Sequence, residues 1–416
     1  MKKRLLSFPT LCALSLSSFL FYSCGDEPVD PSDSTQSEKM NFKRTVLLYA
    51  VASNNLYSSC EDDMLEILKG AESCDLNSCS MLVYMVGYQP EASLMEVVKN
   101  KYGEIEYHTI KEYDRNEYST DPRRLSEVIS DVNRLRKSDK YGLILWSHGT
   151  GWSDSDIQHP ALGEGESLPV VSYSFGMDSN GGKSDYMNID ELAKAIPSGM
   201  FDFIWFDACY MSGIETVYQL RDKCDTFVGY PTEVWSYGMP YDQTLPLILK
   251  AQPNLIAAAD VFTDYYKGID MSWTIAVVRT SGLNRVAETA RDVYKEAVGP
   301  AEGSLIKYSR SPCGPFYDFG QMTSAFELPQ GNNTPHDKAV EEFKDALADV
   351  VLYKSSSEYN FNYPGYGIIR DEWLIDTEAF SGLNCRYFHK ADDLVADGGY
   401  YITLDWYKDA IAPAIQ

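Results

Sequence analysis

The chain is poor in the residues that most often announce a chemistry. Histidine occurs five times in 416 residues, at positions 108, 148, 159, 336 and 389, scattered rather than clustered. No Cys-x-x-Cys pair occurs, so the spacing of a structural or catalytic zinc site is missing. Base is scarce as well: 36 Lys and Arg stand against 61 Asp and Glu, a formal net charge of −25. No basic patch stands out, and the phosphate backbone of a nucleic acid would be repelled, which argues against a nucleic-acid partner. The Gly-x-Ser-x-Gly elbow that a serine α/β-hydrolase requires is absent. There is no internal repeat.

The N-terminus reads as an address. Lys2-Lys3-Arg4 precede a short, serine-rich apolar stretch from Leu5 to Tyr22, too short for a membrane anchor and typical of an export signal. Its end, Phe21-Tyr22-Ser23-Cys24-Gly25, resembles a bacterial lipoprotein processing site with Cys24 as the lipidated residue. Residues 1–24 are therefore expected to be a signal, and residues 25–42, rich in Pro, Ser and acid, a flexible tether. Asp26-Glu27 resembles the acidic signals that send some Bacteroidetes lipoproteins to the cell surface. The expectation is an exported lipoprotein held by its lipid anchor at the outer membrane or cell surface. Seven cysteines remain once Cys12 leaves with the signal and Cys24 takes the lipid. That odd number leaves at least one free thiol. Pairing among Cys60, Cys74 and Cys79 stays open.

Hydrophobic residues make up 44% of the chain, enough for a substantial core. Thr45–Val51, Met81–Val86, the run Leu143-Ile144-Leu145-Trp146, the run Phe203-Ile204-Trp205-Phe206, and Ser272–Val278 read as buried strands. Between them Met64, Leu65, Ile67 and Leu68, then Leu125, Val128, Ile129, Val132 and Leu135, then Ile189, Leu192, Ala193 and Ile196 fall at helical spacing. Thr120-Asp121-Pro122 is a helix start, with a cap followed by proline in the first turn. A further helix is expected directly after Cys209, on Met211, Ile214, Val217 and Tyr218. Two more are expected, on Leu283–Ala297 and Val340–Val350. Strands that are apolar throughout and alternate with helices imply an α/β fold with a mostly parallel sheet covered on both faces. The irregular stretch 300–335 is the best boundary. It would divide a catalytic core at 43–300 from a C-terminal portion at 301–416 that packs on or completes it, with short strands expected in 361–407.

Two strand exits carry the chemistry. Ser147-His148-Gly149-Thr150-Gly151-Trp152 follows one apolar run, and Asp207-Ala208-Cys209-Tyr210-Met211 follows another. Open α/β sheets place their sites at such exits, and a His at one with a Cys at another reads as a thiol–imidazole pair. Cys209 would be the nucleophile, its thiol acidified by the helix expected after it. His148 would be the acid–base, and the backbone N–H groups of Gly149 and Cys209 an oxyanion hole. Asp207, two residues before Cys209, would face the same way on an extended strand and bind a basic P1 side chain. On the residues alone, Cys209 could also be a buried apolar thiol, and Asp207 a structural acceptor.

These two blocks, with Asp207–Cys209 continuing through Ser212-Gly213-Ile214-Glu215, resemble the signature blocks of the clostripain family of cysteine peptidases. Val46–Tyr49 with Asn54-Asn55-Leu56, Pro231-Thr232-Glu233 through Gly238–Tyr241, Ser381-Gly382-Leu383 with Tyr387, and Leu404-Asp405-Trp406 resemble further parts of it. The similarity runs from about Lys43 to Asp409. It implies a caspase–gingipain-like three-layer fold, a Cys209–His148 dyad, cleavage of protein or peptide substrates after Arg or Lys, and Asp207 at the base of S1. Some members cut themselves at a basic residue between the dyad positions. Only Lys183 and Lys194 lie there, and Lys183 in Asn180-Gly181-Gly182-Lys183-Ser184 is the loop candidate. The chain departs from the pattern at Ser53, Tyr230 and Val234-Trp235-Ser236-Tyr237. Some members need calcium, but Asp178, Asn180 and Asp185 lack the Glu a calcium loop needs at its twelfth position, which is Ile189 here. No metal and no cofactor is expected. The competing reading is a catalytically silent surface lipoprotein that keeps the fold to bind; a transpeptidase or other acyl transferase using the same dyad is a third.

Overall fold

The computed structural model describes residues 41–152, 174–295, 316–327, 334–359, 374–386 and 399–415, with 297, 299–300, 305 and 308. The expected export signal with Cys24, Asp26-Glu27, almost all of the expected tether, Cys313 and Tyr387 lie outside the described residues.

Nine strands build the main sheet: β1 (Phe42–Val51), β2 (Cys79–Val86), β3 (Glu91–Lys99), β4 (Ile105–Asp114), β5 (Ser138–Trp146), β6 (Phe201–Asp207), β7 (Cys224–Gly229), β8 (Thr274–Arg279) and β9 (Val351–Ser356). Their order is β9-β8-β7-β6-β5-β1-β2-β3-β4. The middle, from β7 to β2, is parallel throughout; β3, β4, β8 and β9 add antiparallel edges. A mostly parallel sheet with helices on both faces is what the apolar runs imply. Val46–Val51 are buried on both faces, as a central strand requires.

The helices fall into two layers. On one face α1 (Tyr57–Ala71), α5 (Tyr241–Ile248) and α6 (Leu255–Gly268) cover Val46, Leu48, Ile144, Phe203, Trp205 and Val228. On the other, α2 (Pro122–Leu135), α3 (Ile189–Ala195), α4 (Ile214–Gln219), α7 (Leu283–Tyr294), α8 (Phe319–Ser324) and α9 (Thr334–Val350) cover Leu47, Tyr49, Leu145, Ile204 and Phe206. Helix α2 begins where expected, with the Asp121 carboxylate accepting the Arg123 N–H at 2.8 Å and Pro122 in the first turn. Among the described residues no helix is long and apolar enough to cross a membrane.

One element gave no sequence signal, one expectation needs correction, and one open question closes. The hairpin β3–β4 gave no clear signal, because half of β4 faces solvent and its sequence, Ile-Glu-Tyr-His-Thr-Ile-Lys-Glu-Tyr-Asp, is mostly polar. The helix after Cys209 does not follow it directly: the chain first turns through Tyr210, which holds a left-handed φ of 60°, and α4 starts at Ile214. None of the six described cysteines Cys60, Cys74, Cys79, Cys209, Cys224 and Cys385 forms a disulfide, so the pairing left open among the first three does not occur.

Candidate active site

Sheet register brings the two strand exits together. β5 and β6 run parallel with Trp146 opposite Asp207, so His148 and Cys209, each two residues further on, emerge side by side. Adjacent strands lie about 4.8 Å apart. The Ser147 N–H donates to the Asp207 carbonyl at 3.4 Å, carrying the pairing past the strand ends. Gly149 makes the closest approach: a Cβ there would sit 2.6 Å from the Cys209 carbonyl oxygen. Only glycine lets the chain pass so near Cys209. Among the described residues, the Gly149 N–H makes no hydrogen bond; its neighbours Thr150 and Gly176 form the bonds of that stretch, to Ser174 and His148 carbonyls.

His148 is held on two sides. Its strand end is tied to β1 by the Ser147 hydroxyl, which donates to the Val51 carbonyl at 2.7 Å. Its ring Nε2 lies 2.8 Å from Asn55 Oδ1. Burial pushes the imidazole down to about 4, so it is neutral at physiological pH and available as a base.

The Cys209 sulfur faces the backbone of Val234. The Val234 N–H donates to it at 3.4 Å and the thiol donates to the Val234 carbonyl at 3.6 Å. The left-handed turn at Tyr210 is fixed by its N–H to the Thr232 carbonyl at 2.9 Å. Asn384 Nδ2 donates to the Tyr210 carbonyl at 3.1 Å and to the Pro231 carbonyl at 2.7 Å, clamping the turn after Cys209 to the Pro231 wall. The Tyr210 ring stacks on Phe316 at 4.9 Å. Asn384 stands next to the Ser381-Gly382-Leu383 match, but nothing in its local sequence marks it as a clamp, since its partners lie 174 and 153 residues away.

Asp207 ends β6, so the extended backbone on which it would share a direction with Cys209 stops before the cysteine. Its buried carboxylate accepts three neutral donors: the Tyr230 hydroxyl at 3.2 Å, the Tyr241 hydroxyl at 3.0 Å and the Met239 N–H at 3.0 Å. Gly238, at φ 56°, is required beside it, because a Cβ there would fall 2.8 Å from Asp207 Oδ2. A second buried acid, Asp63 of α1, accepts the Trp146 indole N–H at 2.8 Å. Burial, and then the charge of Asp207, push the Asp63 carboxyl up; burial raises Asp207 as well. Asp63 was not legible in the sequence because it lies on a helix face otherwise read as apolar.

Lys183 is exposed at the tip of a two-stranded hairpin formed by Phe175–Asn180 and Lys183–Met187, where Gly181 and Gly182 supply the positive φ. Lys194 is occupied on α3 by Asp190 at 2.7 Å. Asp178 of the acidic loop is buried and its oxygens are taken by Arg115 at 2.9 Å, Ser53 at 2.5 Å and the Ser119 N–H at 2.5 Å. Asp185 is bound by Thr120 at 2.6 Å. Among the described residues no three His, Cys, Asp or Glu gather as metal ligands.

Comparison with known proteins follows the same lines. The family model of the clostripain family matches residues 48–360. Clostripain of Hathewaya histolytica is 28% identical over 240 residues, which is 50% of this chain and 43% of that protein, so the match spans less than half of that relative's length. A secreted C11 cysteine protease from Bacteroides thetaiotaomicron, solved with an irreversible peptide inhibitor, superposes with a TM-score of 0.73 at 26% identity. An inactive zymogen C11 protease from Parabacteroides distasonis does so with a TM-score of 0.72 at 27% identity. Each superposition covers 89% of this chain and 99% of the other.

Proposed function

Because the chain belongs to the clostripain family, we propose that it is a cysteine endopeptidase in which Cys209 and His148 form the dyad. The juxtaposition of these two residues at neighbouring strand ends carries the reading. Neutral His148 accepts the Cys209 thiol proton as the sulfur attacks the scissile carbonyl. Oxyanion charge develops beside the Gly149 and Cys209 N–H groups. The imidazolium then returns its proton to the leaving amine, and water, deprotonated by the same imidazole, hydrolyses the thioester. A thiol, an imidazole and backbone donors supply every group acyl transfer needs, so no cofactor enters the scheme.

For P1 the proposal is Arg or Lys, read by Asp207. Its carboxylate and that of Asp63 are buried near each other, and the donors to both are uncharged. A cationic side chain would supply the missing counter-charge. One observation favours a second reading: Tyr230, one of the departures from the family pattern, already caps Asp207 together with Tyr241. Under that reading Asp207 is a strut and P1 is small or uncharged. Fluorogenic peptides with Arg, Lys and small P1 residues separate the two. Cleavage after Arg or Lys that falls at least 100-fold in Asp207→Asn supports the first; preference for small P1 residues supports the second. Equal hydrolysis by wild type and Cys209→Ala would sink the dyad.

Location and maturation complete the proposal. The similar Bacteroides thetaiotaomicron enzyme is described as secreted, which supports export, and Cys24 would then carry the lipid. Cys24→Ala should move the protein from a membrane pellet to the soluble fraction. Lys183, exposed between the dyad positions, is the proposed self-cleavage point. Intact mass after incubation reads it directly, and a single uncut chain in an active preparation would rule out obligatory processing there. The silent binding lipoprotein is not favoured, since both dyad residues are present and adjacent.

A further inference from the structure

We propose that Asn55 is the positioning residue of His148, turning the pair into a Cys209–His148–Asn55 relay laid across three neighbouring strands. The inference rests on the dyad assignment above. β6, β5 and β1 are consecutive in the sheet and parallel. Cys209 follows the first, His148 the second and Asn55 the third, so the three residues leave the C-terminal ends of neighbouring central strands in the order nucleophile, base, orienter.

In this proposal the contact with Asn55 sets the tautomer. Asn55 Oδ1 lies 2.8 Å from His148 Nε2, and an amide oxygen can only accept. Nε2 must therefore carry the proton, which leaves the lone pair of neutral imidazole on Nδ1, on the other side of the ring. In the proposed relay Nδ1 takes the thiol proton; with the opposite tautomer Nδ1 would already carry a hydrogen and could not accept it.

Asn55 itself is exposed, and an exposed side chain orients a partner only if its backbone is fixed. Its neighbour Asn54 provides this. The buried Asn54 side chain donates to the Val51 carbonyl at 3.0 Å and the Met177 carbonyl at 2.8 Å, and accepts the Leu56 N–H at 2.9 Å. The Asn54 carbonyl accepts the Tyr88 hydroxyl at 2.7 Å and the Tyr57 N–H at 3.2 Å. The loop after β1 is thus pinned to β1, to the Phe175–Asn180 strand, to the start of α1 and to the loop after β2. Asn54 and Asn55 divide the work: the first holds the loop, the second holds the histidine.

The test reads the imidazole without relying on any substrate. With ¹⁵N-labelled histidine, the wild type should show His148 protonated on Nε2 at neutral pH, assigned by the loss of that signal in His148→Ala. Asn55→Ala should shift His148 towards a tautomer mixture, slow alkylation of Cys209 by iodoacetamide about tenfold, and lower kcat at least tenfold with KM little changed. Asn55→Asp, which still accepts from Nε2, should retain the tautomer and move the acid limb of the alkylation profile upward by stabilising the imidazolium. A His148 protonated on Nδ1 in the wild type overturns the proposal, as does an Asn55→Ala protein whose tautomer and alkylation profile match the wild type. Failure of every peptide to be cleaved would count against the proposed function alone, because tautomer and alkylation are read on the free protein.

Discussion

At the residue scale the chemistry depends on where burial leaves each proton. Glu215, six residues past Cys209, is fully buried, and burial holds its carboxyl at about 7 even though Oε1 accepts the Arg386 N–H at 2.9 Å and the Tyr401 hydroxyl at 3.2 Å. In the unfolded chain the same group titrates at its ordinary 4.5. The folded value is the higher one, so stability is complete below about pH 4.5 and falls as the pH rises towards 7. One unit is worth about 1.4 kcal/mol, so this group alone should remove roughly 3 kcal/mol over that window. Urea denaturation of Glu215→Gln should lack that loss, and a wild type whose stability does not fall more steeply than the variant's would contradict it. His148 shifts the other way. With the imidazole pushed down to about 4, the acid limb of kcat/KM should lie near pH 4 rather than 6.5, because the base is already neutral above it. A pH–rate profile on any cleaved peptide measures this.

At the scale of elements, precision is concentrated where β5 and β6 end. Gly149→Ala would place a methyl 2.6 Å from the Cys209 carbonyl and 3.0 Å from the Met211 side chain. The backbone must move, so activity should drop more than tenfold while stability falls by only about 1–3 kcal/mol. Asp121→Ala is the contrast: it removes the cap of α2, should cost about 1 kcal/mol, and should leave kcat unchanged. Thermal denaturation beside steady-state kinetics distinguishes the two. These elements also show what the sequence could reveal. Strands buried on both faces, such as β1, β5 and β6, announce themselves as apolar runs, and Asp121-Pro122 marks a helix start by local chemistry. The proposed Cys209–His148 pair stood out because both residues sit directly after such runs. Asn384 and Asp63 were not, because their roles come from partners far along the chain, and β3–β4 was not, because an edge hairpin with a wet face carries little apolar signal. The turn at Tyr210 was missed for a third reason: a left-handed non-glycine residue is stabilised by Thr232 and Asn384, which no local pattern encodes.

At the scale of the molecule, the segment beyond residue 300 is structurally continuous with the core. Strand β9 pairs with β8 and completes one edge of the main sheet. Helix α9 packs on α7, and its Phe343 meets Phe319 of α8 at 5.4 Å. Asn384 bridges to Gly213 and clamps the turn after Cys209, Tyr401 donates to Glu215, and Trp406 sits edge-on to both Tyr218 and Phe319 at 5.5 and 5.3 Å. Without that segment the apolar face of α4 and α7 would meet water, and Glu215 would lose its donors. Fully burying one such aromatic contributes about 1.5–3 kcal/mol, and several are involved, against a typical total of 5–15 kcal/mol for a domain. The chain from residue 41 to 416 should therefore unfold in one transition, with tryptophan fluorescence and far-ultraviolet circular dichroism coinciding across a urea titration. A version ending at residue 300 should be insoluble or lack the native near-ultraviolet spectrum. Two separated transitions, or a folded and active 41–300 fragment, would instead make the C-terminal part an independent domain and leave the Asn384 clamp dispensable.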